Sequence, residues 1–298
     1  MSHSLLVTGA SGQFGQRVLH HLLETLHVDP ARIIATTRKP EALADAAARG
    51  IAVQKADFDD AASMASAFAG VERMLLISTD ALDRPGRRLE QHRAALAAAE
   101  KAGVQHVVYT SMPAADKALV LFAPDHAGTE AALAASALPG WTVLRNHWYF
   151  ENLFMSLPGI LANGGQWFHA ASDGRTANIA RDDLARAAAA VLAGQEQGKN
   201  TLTLSGEEAL TVSEIAAQLT ATLGRPITPV PLPAAALVQG MVGAGLPEPM
   251  AQVLASFDTN TAAGFVGTVT DDYRRITGAA PQRFGDWLSI HRAALLGG

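Results

Sequence analysis

The chain has 298 residues, 49% of them hydrophobic and 17% charged, with a formal net charge of -5. This is the balance of an ordinary globular protein of one large domain or two closely joined ones, and the acidic excess argues against a surface that neutralises nucleic-acid phosphates. The absence of cysteine excludes disulfides, thiolate metal sites and thiol catalysis together.

The N-terminal "MSHSLLVTGA" turns into an apolar strand at once, which leaves no room for a signal peptide and points to the cytoplasm. The turn that follows, "TGASGQFG", spaces Gly9, Gly12 and Gly15 as GxxGxxG. Between a strand and an amphipathic helix, such glycines permit a tight turn, a close backbone approach to a pyrophosphate, and close helix-to-strand packing. The expected dinucleotide contacts here are Thr8, Gly9, Ser11, Gly12, Gln13, Phe14 and Gly15. In "QFGQRVLHHLLETL" the apolar residues Phe14, Val18, Leu19, Leu22, Leu23 and Leu26 recur at three- and four-residue spacing, which predicts a helix with one buried stripe.

The short apolar runs "LLVTG", "IIATT", "IAVQKAD", "RMLLIS", "HVVYTS" and "WTVLR" alternate with helical segments. That rhythm predicts βαβ units and a Rossmann-type α/β fold, a doubly wound parallel sheet with helices on both faces. The second run ends in "IIATTRKPE", with no carboxylate to hold a ribose 2'-hydroxyl. Arg38, by contrast, offers fork-shaped donors to a 2'-phosphate, so NADP(H) is expected ahead of NAD(H). Asp57 and Phe58 fall where an adenine would lie, Ser78 and Thr79 beside the middle of the cofactor, and Thr110 and Ser111 at the end of the fifth run. The basic stretch "DRPGRRLEQHR" reads as a solvated helix face, with a place near an anionic ligand as the alternative.

In "FAPDHAGTE", His126 lies one helical turn before Glu130. Three readings are open for the pair: acid/base couple, half a metal site, or an ordinary helix start. A metal is not expected, because His20 and His21 are adjacent and point apart on a helix, while His126 and Glu130 supply only two ligands. In "RNHWYFENL", Asn146 is a candidate polar contact, and Trp148, Tyr149 and Phe150 could stack on a flat substrate.

After Arg145 the rhythm changes to longer loops, a helix in "ARDDLARAAAAVLAG", a strand in "NTLTLSG" and a helix "TVSEIAAQLTATLG" with Thr211 and Glu214 at capping-box spacing. The expected organisation is a cofactor domain over residues 1-150 and a smaller substrate lobe over 151-298, interwoven and with an approximate boundary. The most apolar stretch, "AAALVQGMVGAGL", is shorter than the roughly 18 to 20 residues of a membrane span, so no membrane association is expected.

Taken in order, "TGASGQFG", "TTRKPE", "HVVYTS", "HAGTE" and "VLRNHWYFENL" resemble the NmrA-like branch of atypical short-chain dehydrogenases/reductases, nearest to type 2 quinone oxidoreductases and triphenylmethane dye reductases. The resemblance spans essentially the whole chain. It implies a Rossmann-type domain with a small C-terminal lobe, NADPH as hydride donor, a cleft for a small aromatic acceptor, and a monomer or homodimer. It also allows a regulator that binds NADP(H) without turnover. The wider superfamily has a catalytic Tyr four residues before a Lys, often with Glu four residues after it. In register with Glu130, His126 takes the Lys position and Phe122 the Tyr position, while Tyr109 and Lys117 lie eight apart and do not restore the pattern.

A missing tyrosine narrows the chemistry. Hydride delivered to a simple carbonyl leaves an alkoxide whose conjugate acid has a pKa near about 16. A reduced quinone leaves a phenolate-like oxygen near about 10, a difference of roughly 8 kcal/mol. Solvent can protonate the second, and a cationic triarylmethane dye needs no proton. The expectation is hydride transfer to such an acceptor, held in a water-poor cleft, with His126 at the nicotinamide ribose or the acceptor oxygen and Phe122 and Asn146 among the substrate contacts.

Overall fold

The computed structural model describes residues 4–297. Its central sheet is built from β1 (Leu5–Val7), β2 (Ile33–Thr37), β3 (Ala52–Lys55), β4 (Arg73–Leu76), β5 (His106–Ser111), β6 (Gly140–Asn146) and β7 (Lys199–Leu204). All seven strands are parallel, in the spatial order β3-β2-β1-β4-β5-β6-β7, so the order reverses direction between β1 and β4. A crevice at the carboxyl ends of strands beside such a reversal is where α/β sheets bind ligands.

The helices that matter here are α1 (Gln13–His20), α2 (Ala61–Ala67), α3 (Arg87–Ala102), α4 (Ala123–Ala135), α5 (Leu153–Ala162), α6 (Arg181–Ala193), α7 (Val212–Leu223), α8 (Glu248–Ala262) and α9 (Phe284–Leu295). Strand side chains alternate between faces. Leu5, Val7, Leu75, Val108, Leu144 and Leu204 pack under α1 and α6, while Leu6, Met74, Leu76, Val107, Tyr109 and Val143 pack under α2, α3 and α4. Both faces are buried, which is why the strands read as continuous apolar runs in the sequence.

The two halves are interwoven. α6 and β7 come from beyond residue 150 yet join the sheet layer, α6 against α1 and β7 against β6. The remaining second-half elements form their own core of Phe150, Leu157, Ile160, Leu219, Phe284, Trp287 and Leu288. The Thr211–Glu214 capping box at the start of α7 is present with both reciprocal bonds. No helix among the described residues is long and apolar enough to cross a membrane, and "AAALVQGMVGAGL" gives only the short helix Ala234–Gly243.

Two sequence expectations change. α1 runs on into a wider π-type turn, His21–Thr25, whose additional residue rotates the stripe. Leu22 stays fully buried and Leu23 half-buried, but Leu26 emerges 37% exposed. The stretch "DRPGRRLEQHR" is a solvated face only in part: Asp83, Arg84, Glu90 and Arg93 are exposed, while Arg88, Gln91 and His92 are buried and continue the helical stripe of Ala95, Leu96 and Ala99.

Candidate active site

The site begins at the end of β1. Gly9 adopts a φ of 57°, in the left-handed region that glycine enters without strain. The Gly12 amide closes the turn on the Gly9 carbonyl at 3.0 Å, and Gly12 then caps α1 with no side chain in the way. A Cβ on Gly15 would sit 2.5 Å from the Gly9 carbonyl oxygen and 2.7 Å from the Ala10 Cα, so only glycine lets α1 rest on the turn. The first turn of α1 has no acidic side chain, leaving its amides and positive dipole end for an anion.

This loop forms one end of a cavity of about 510 Å³. Of the expected dinucleotide contacts, Gly9, Ser11, Gly12, Gln13, Phe14, Gly15, Arg38, Asp57, Phe58, Ser78 and Thr79 lie on its wall. Three lie behind it. Thr8 is buried, donating its hydroxyl to the Leu75 carbonyl and accepting the Ile77 amide, and so stitches β1 to β4. The Thr110 hydroxyl accepts the Ser78 amide at 2.8 Å, and Ser111 donates to Glu130 at 2.6 Å. Glu130 also receives two bonds from Arg145, so it is a structural carboxylate locking α4 to β6. The guanidinium of Arg38 makes no hydrogen bond or ion pair among the described residues. Arg87 and Gln91 of α3, not singled out in the sequence although their stretch carried the alternative of a place near an anionic ligand, line the cavity and bond to Asp59. The buried stripe through Arg88, His92, Ala95 and Ala99 was the signal that α3 turns this face inward.

His126 is not on this wall but 5% exposed, in a polar network between α3, α4 and β5. Obligatory donors assign the tautomers. Arg88 donates to His126 Nε2 at 3.1 Å, which leaves the proton on Nδ1 to be donated to the Tyr109 hydroxyl at 2.8 Å. The Thr79 amide donates to His92 Nε2 at 3.0 Å, and His92 Nδ1 donates to Thr129, which donates to the Asp125 carbonyl. Burial, and secondarily the Arg88 cation, holds His92 at about 3 and His126 well below the usual histidine value, so both rings are neutral. Burial also pushes the Tyr109 hydroxyl above the ordinary phenol range.

A second cavity of about 340 Å³ is lined by aromatic rings. Trp148, Tyr149 and Phe150 lie on its wall, joined by Trp167, Phe257 and Phe284, which come from remote segments and were not foreseen. Phe122 and Asn146 do not reach it. The Phe122 ring packs edge-on against Trp148 and Phe257 with the Arg88 guanidinium 4.8 Å from its centroid, and Asn146 is buried with its Oδ1 unpartnered. A stacked pair links the two walls, Phe14 on the first and Tyr149 on the second, 6.4 Å apart and 12° from parallel. Arg181 lies over the Tyr149 ring and donates to Gln13 at 2.6 Å, tying the aromatic segment to the glycine loop. Burial pushes the Tyr149 hydroxyl up to about 12.

The NmrA-like family model matches residues 1–266. Quinone oxidoreductase 2 of Escherichia coli strain K12 is 38% identical over 260 residues, covering 87% of this chain and 88% of that one. Among solved structures, an Escherichia coli NADPH-dependent quinone oxidoreductase complexed with NADPH superposes with a TM-score of 0.88 at 35% identity, covering 98% of this chain and 99% of the other. The Citrobacter sp. triphenylmethane reductase complexed with NADP(H) gives 0.87 at 30% identity, covering 97% and 100%. With a doubly wound parallel sheet, a glycine-rich turn at its first strand and a family match over most of its length, the chain belongs to the NmrA-like family.

Proposed function

We propose that the protein is an NADPH-dependent oxidoreductase that passes hydride to a quinone or a similarly delocalised, dye-like acceptor without a tyrosine acid of the superfamily kind. The observation that carries this reading is the Phe14–Tyr149 stack, which ties the wall of a glycine-loop cavity bearing an unpaired arginine to the wall of an aromatic cavity. The relatives named above as NADPH-dependent quinone oxidoreductase and triphenylmethane reductase support it.

The residues present fit the dinucleotide. The uncapped first turn of α1, which the small Gly12 leaves open, suits the pyrophosphate, and Arg38 suits a 2'-phosphate. Thr79 Oγ1 is buried without a partner on the cavity wall, an orphaned group that a bound polar ligand would satisfy. When bound, NADPH supplies the hydride. The protein's own contribution is positioning: Trp148, Tyr149 and Phe150 stand on the cavity wall as rings on which a flat acceptor can rest. His126 acts from behind as a positioning group, neutral and held between Arg88 and Tyr109.

No strong acid is offered to the acceptor by a tyrosine. Phe122 stands at the Tyr position of the superfamily register, and Tyr109 is fully buried behind the wall. Tyr149 is on the wall, but with its hydroxyl near 12 it is a weaker acid than a free phenol. A phenolate-like product accommodates this because solvent protonates it, whereas an alkoxide would not. The test is NADPH oxidation with benzoquinones, naphthoquinones and triarylmethane dyes, alongside simple ketones. Turnover of the first three without the ketones is expected. Tight NADPH binding with no turnover anywhere would overturn the reading in favour of a nucleotide sensor.

A further inference from the structure

We infer that Asp258 selects the acceptor, so that the aromatic cavity favours molecules carrying an ammonium or other N–H-donating nitrogen on their aromatic frame. This rests on the reductase reading above and concerns which acceptor that site prefers.

Helix α8 presents Leu254, Phe257, Asp258 and Thr261 to the cavity, at the three- and four-residue spacing of one helical face. Phe257 meets Trp148 edge-on, with centroids 4.5 Å apart. Beside these rings, Asp258 Oδ2 accepts the Ala170 amide at 2.7 Å, and the carboxylate pairs with no lysine or arginine among the described residues. Burial pushes the Asp258 carboxyl above the usual range, opposed by the Ala170 amide and by the nearby His169, which makes no salt-bridge contact with it.

The rest of the wall carries no spare positive charge. Glu207 and Glu208 also line the cavity, and the arginine on the wall, Arg283, already faces both of them, at 3.9 and 3.5 Å. Glu207 is held in addition by Arg274 at 2.8 Å. Asp258 is therefore a carboxylate without a lysine or arginine partner among the described residues, on a cavity wall that also carries Trp148 and Phe257. Ring faces and a carboxylate both attract a cation, and a charge-assisted hydrogen bond to Asp258 would offset its desolvation. A neutral quinone gives the carboxylate nothing, and an anionic one meets three carboxylates against a single guanidinium. The apolar mouth, with Met155 76% and Leu254 38% exposed, admits the aromatic frame without discriminating by charge.

The experiment uses three naphthoquinones that differ only in one substituent, an uncharged methyl, an ammoniomethyl or a sulfonate group, with the wild-type protein and Asp258→Asn. Asparagine can still accept the Ala170 amide, so the helix should be undisturbed, and a thermal melt checks this. Wild type should show its lowest KM for the ammonium compound and its highest for the sulfonate. Asp258→Asn should raise the ammonium KM by about tenfold with kcat nearly unchanged, and leave the methyl compound within about twofold. Loss of kcat on all three alike would make Asp258 a general acid and overturn the selection role. An unchanged ranking in the variant would overturn it too, while leaving the reductase reading standing. Failure of the wild type to turn over any of the three, despite binding NADPH, would bring down both. Should the variant fail to fold, the wild-type ranking decides: equal KM values across the three refute the inference.

Discussion

Gly15→Ala isolates the contact on which the cofactor site rests. The new Cβ would lie 2.5 Å from the Gly9 carbonyl oxygen, against an ordinary contact of at least 3.4 Å, so something must give by 3.4 − 2.5 = 0.9 Å. Both obstacles, the Gly9 carbonyl and the Ala10 Cα at 2.7 Å, are backbone, and no flexible side chain can swing away. Relief requires α1 to lift from β1, at the overpacking cost of about 1 to 3 kcal/mol. Alanine's helix propensity returns about 1 kcal/mol, so the net loss reaches about 2 kcal/mol. Lifting α1 also withdraws its first amides from any phosphate, and charge-assisted hydrogen bonds of about 1.5 to 3 kcal/mol make that roughly a 10- to 100-fold loss of NADPH affinity. The control is Gly159→Ala in α5, where no atom lies within 4 Å of the added Cβ. It should gain about 0.5 to 1 kcal/mol. Urea unfolding and NADPH titration of both variants decide the matter. A Gly15→Ala protein as stable as Gly159→Ala and with wild-type NADPH affinity would refute the close-packing argument.

Arg38→Gln should weaken NADPH roughly 10- to 100-fold in a binding titration while leaving NADH within a few-fold, because only the 2'-phosphate loses a partner; equal losses for both would remove Arg38 from the site. Tyr109→Phe leaves the His126 Nδ1–H without its acceptor and should cost about 1 to 3 kcal/mol in urea unfolding, yet keep quinone turnover. Tyr149→Phe should also keep turnover within about tenfold; a drop of roughly 10² to 10⁴ in kcat for either variant would mark its hydroxyl as the acid. Acid should destabilise the fold early. His92 is held at about 3 in the folded chain, below the unfolded value near about 6.5, so the unfolded chain takes up the proton first. The stability that neutral His92 contributes is complete above that unfolded value and is lost as pH falls toward 3, by up to about 1.4 kcal/mol per pH unit. His106 and His147, both held at about 4 by burial, act in the same direction. Equal urea midpoints near pH 7 and near about pH 5 would contradict this.

What the sequence made legible was local. Six apolar runs became the first six strands, and those in the middle of the sheet were plainest because a strand buried on both faces writes its burial into consecutive residues. Three glycines became the turn, because each answers a constraint met within a few residues: the φ of Gly9, the closure at Gly12 and the helix contact at Gly15. What stayed hidden was the pairing of distant groups. Arg88 and His92 look like a solvated face until α4 brings His126 and Thr129 against them, 38 and 37 residues later. Phe257 meets Trp148, and Asp258 joins the same cavity wall, only once α8 has folded back across more than a hundred residues. Tyr109 shows the limit most sharply. Counted along the chain, it is out of register with any catalytic motif. In the fold, β5 and α4 return side by side, and its hydroxyl touches His126 after all. The argument for a tyrosine-independent reaction therefore depends less on the motif than on which side of the cavity wall this hydroxyl occupies. Tyr109 is fully buried, with its ring in the sheet core and its oxygen receiving the His126 proton. To act as an acid on a bound acceptor its hydroxyl would have to leave the buried core, so a hydroxyl close to the motif in space is still remote from the acceptor.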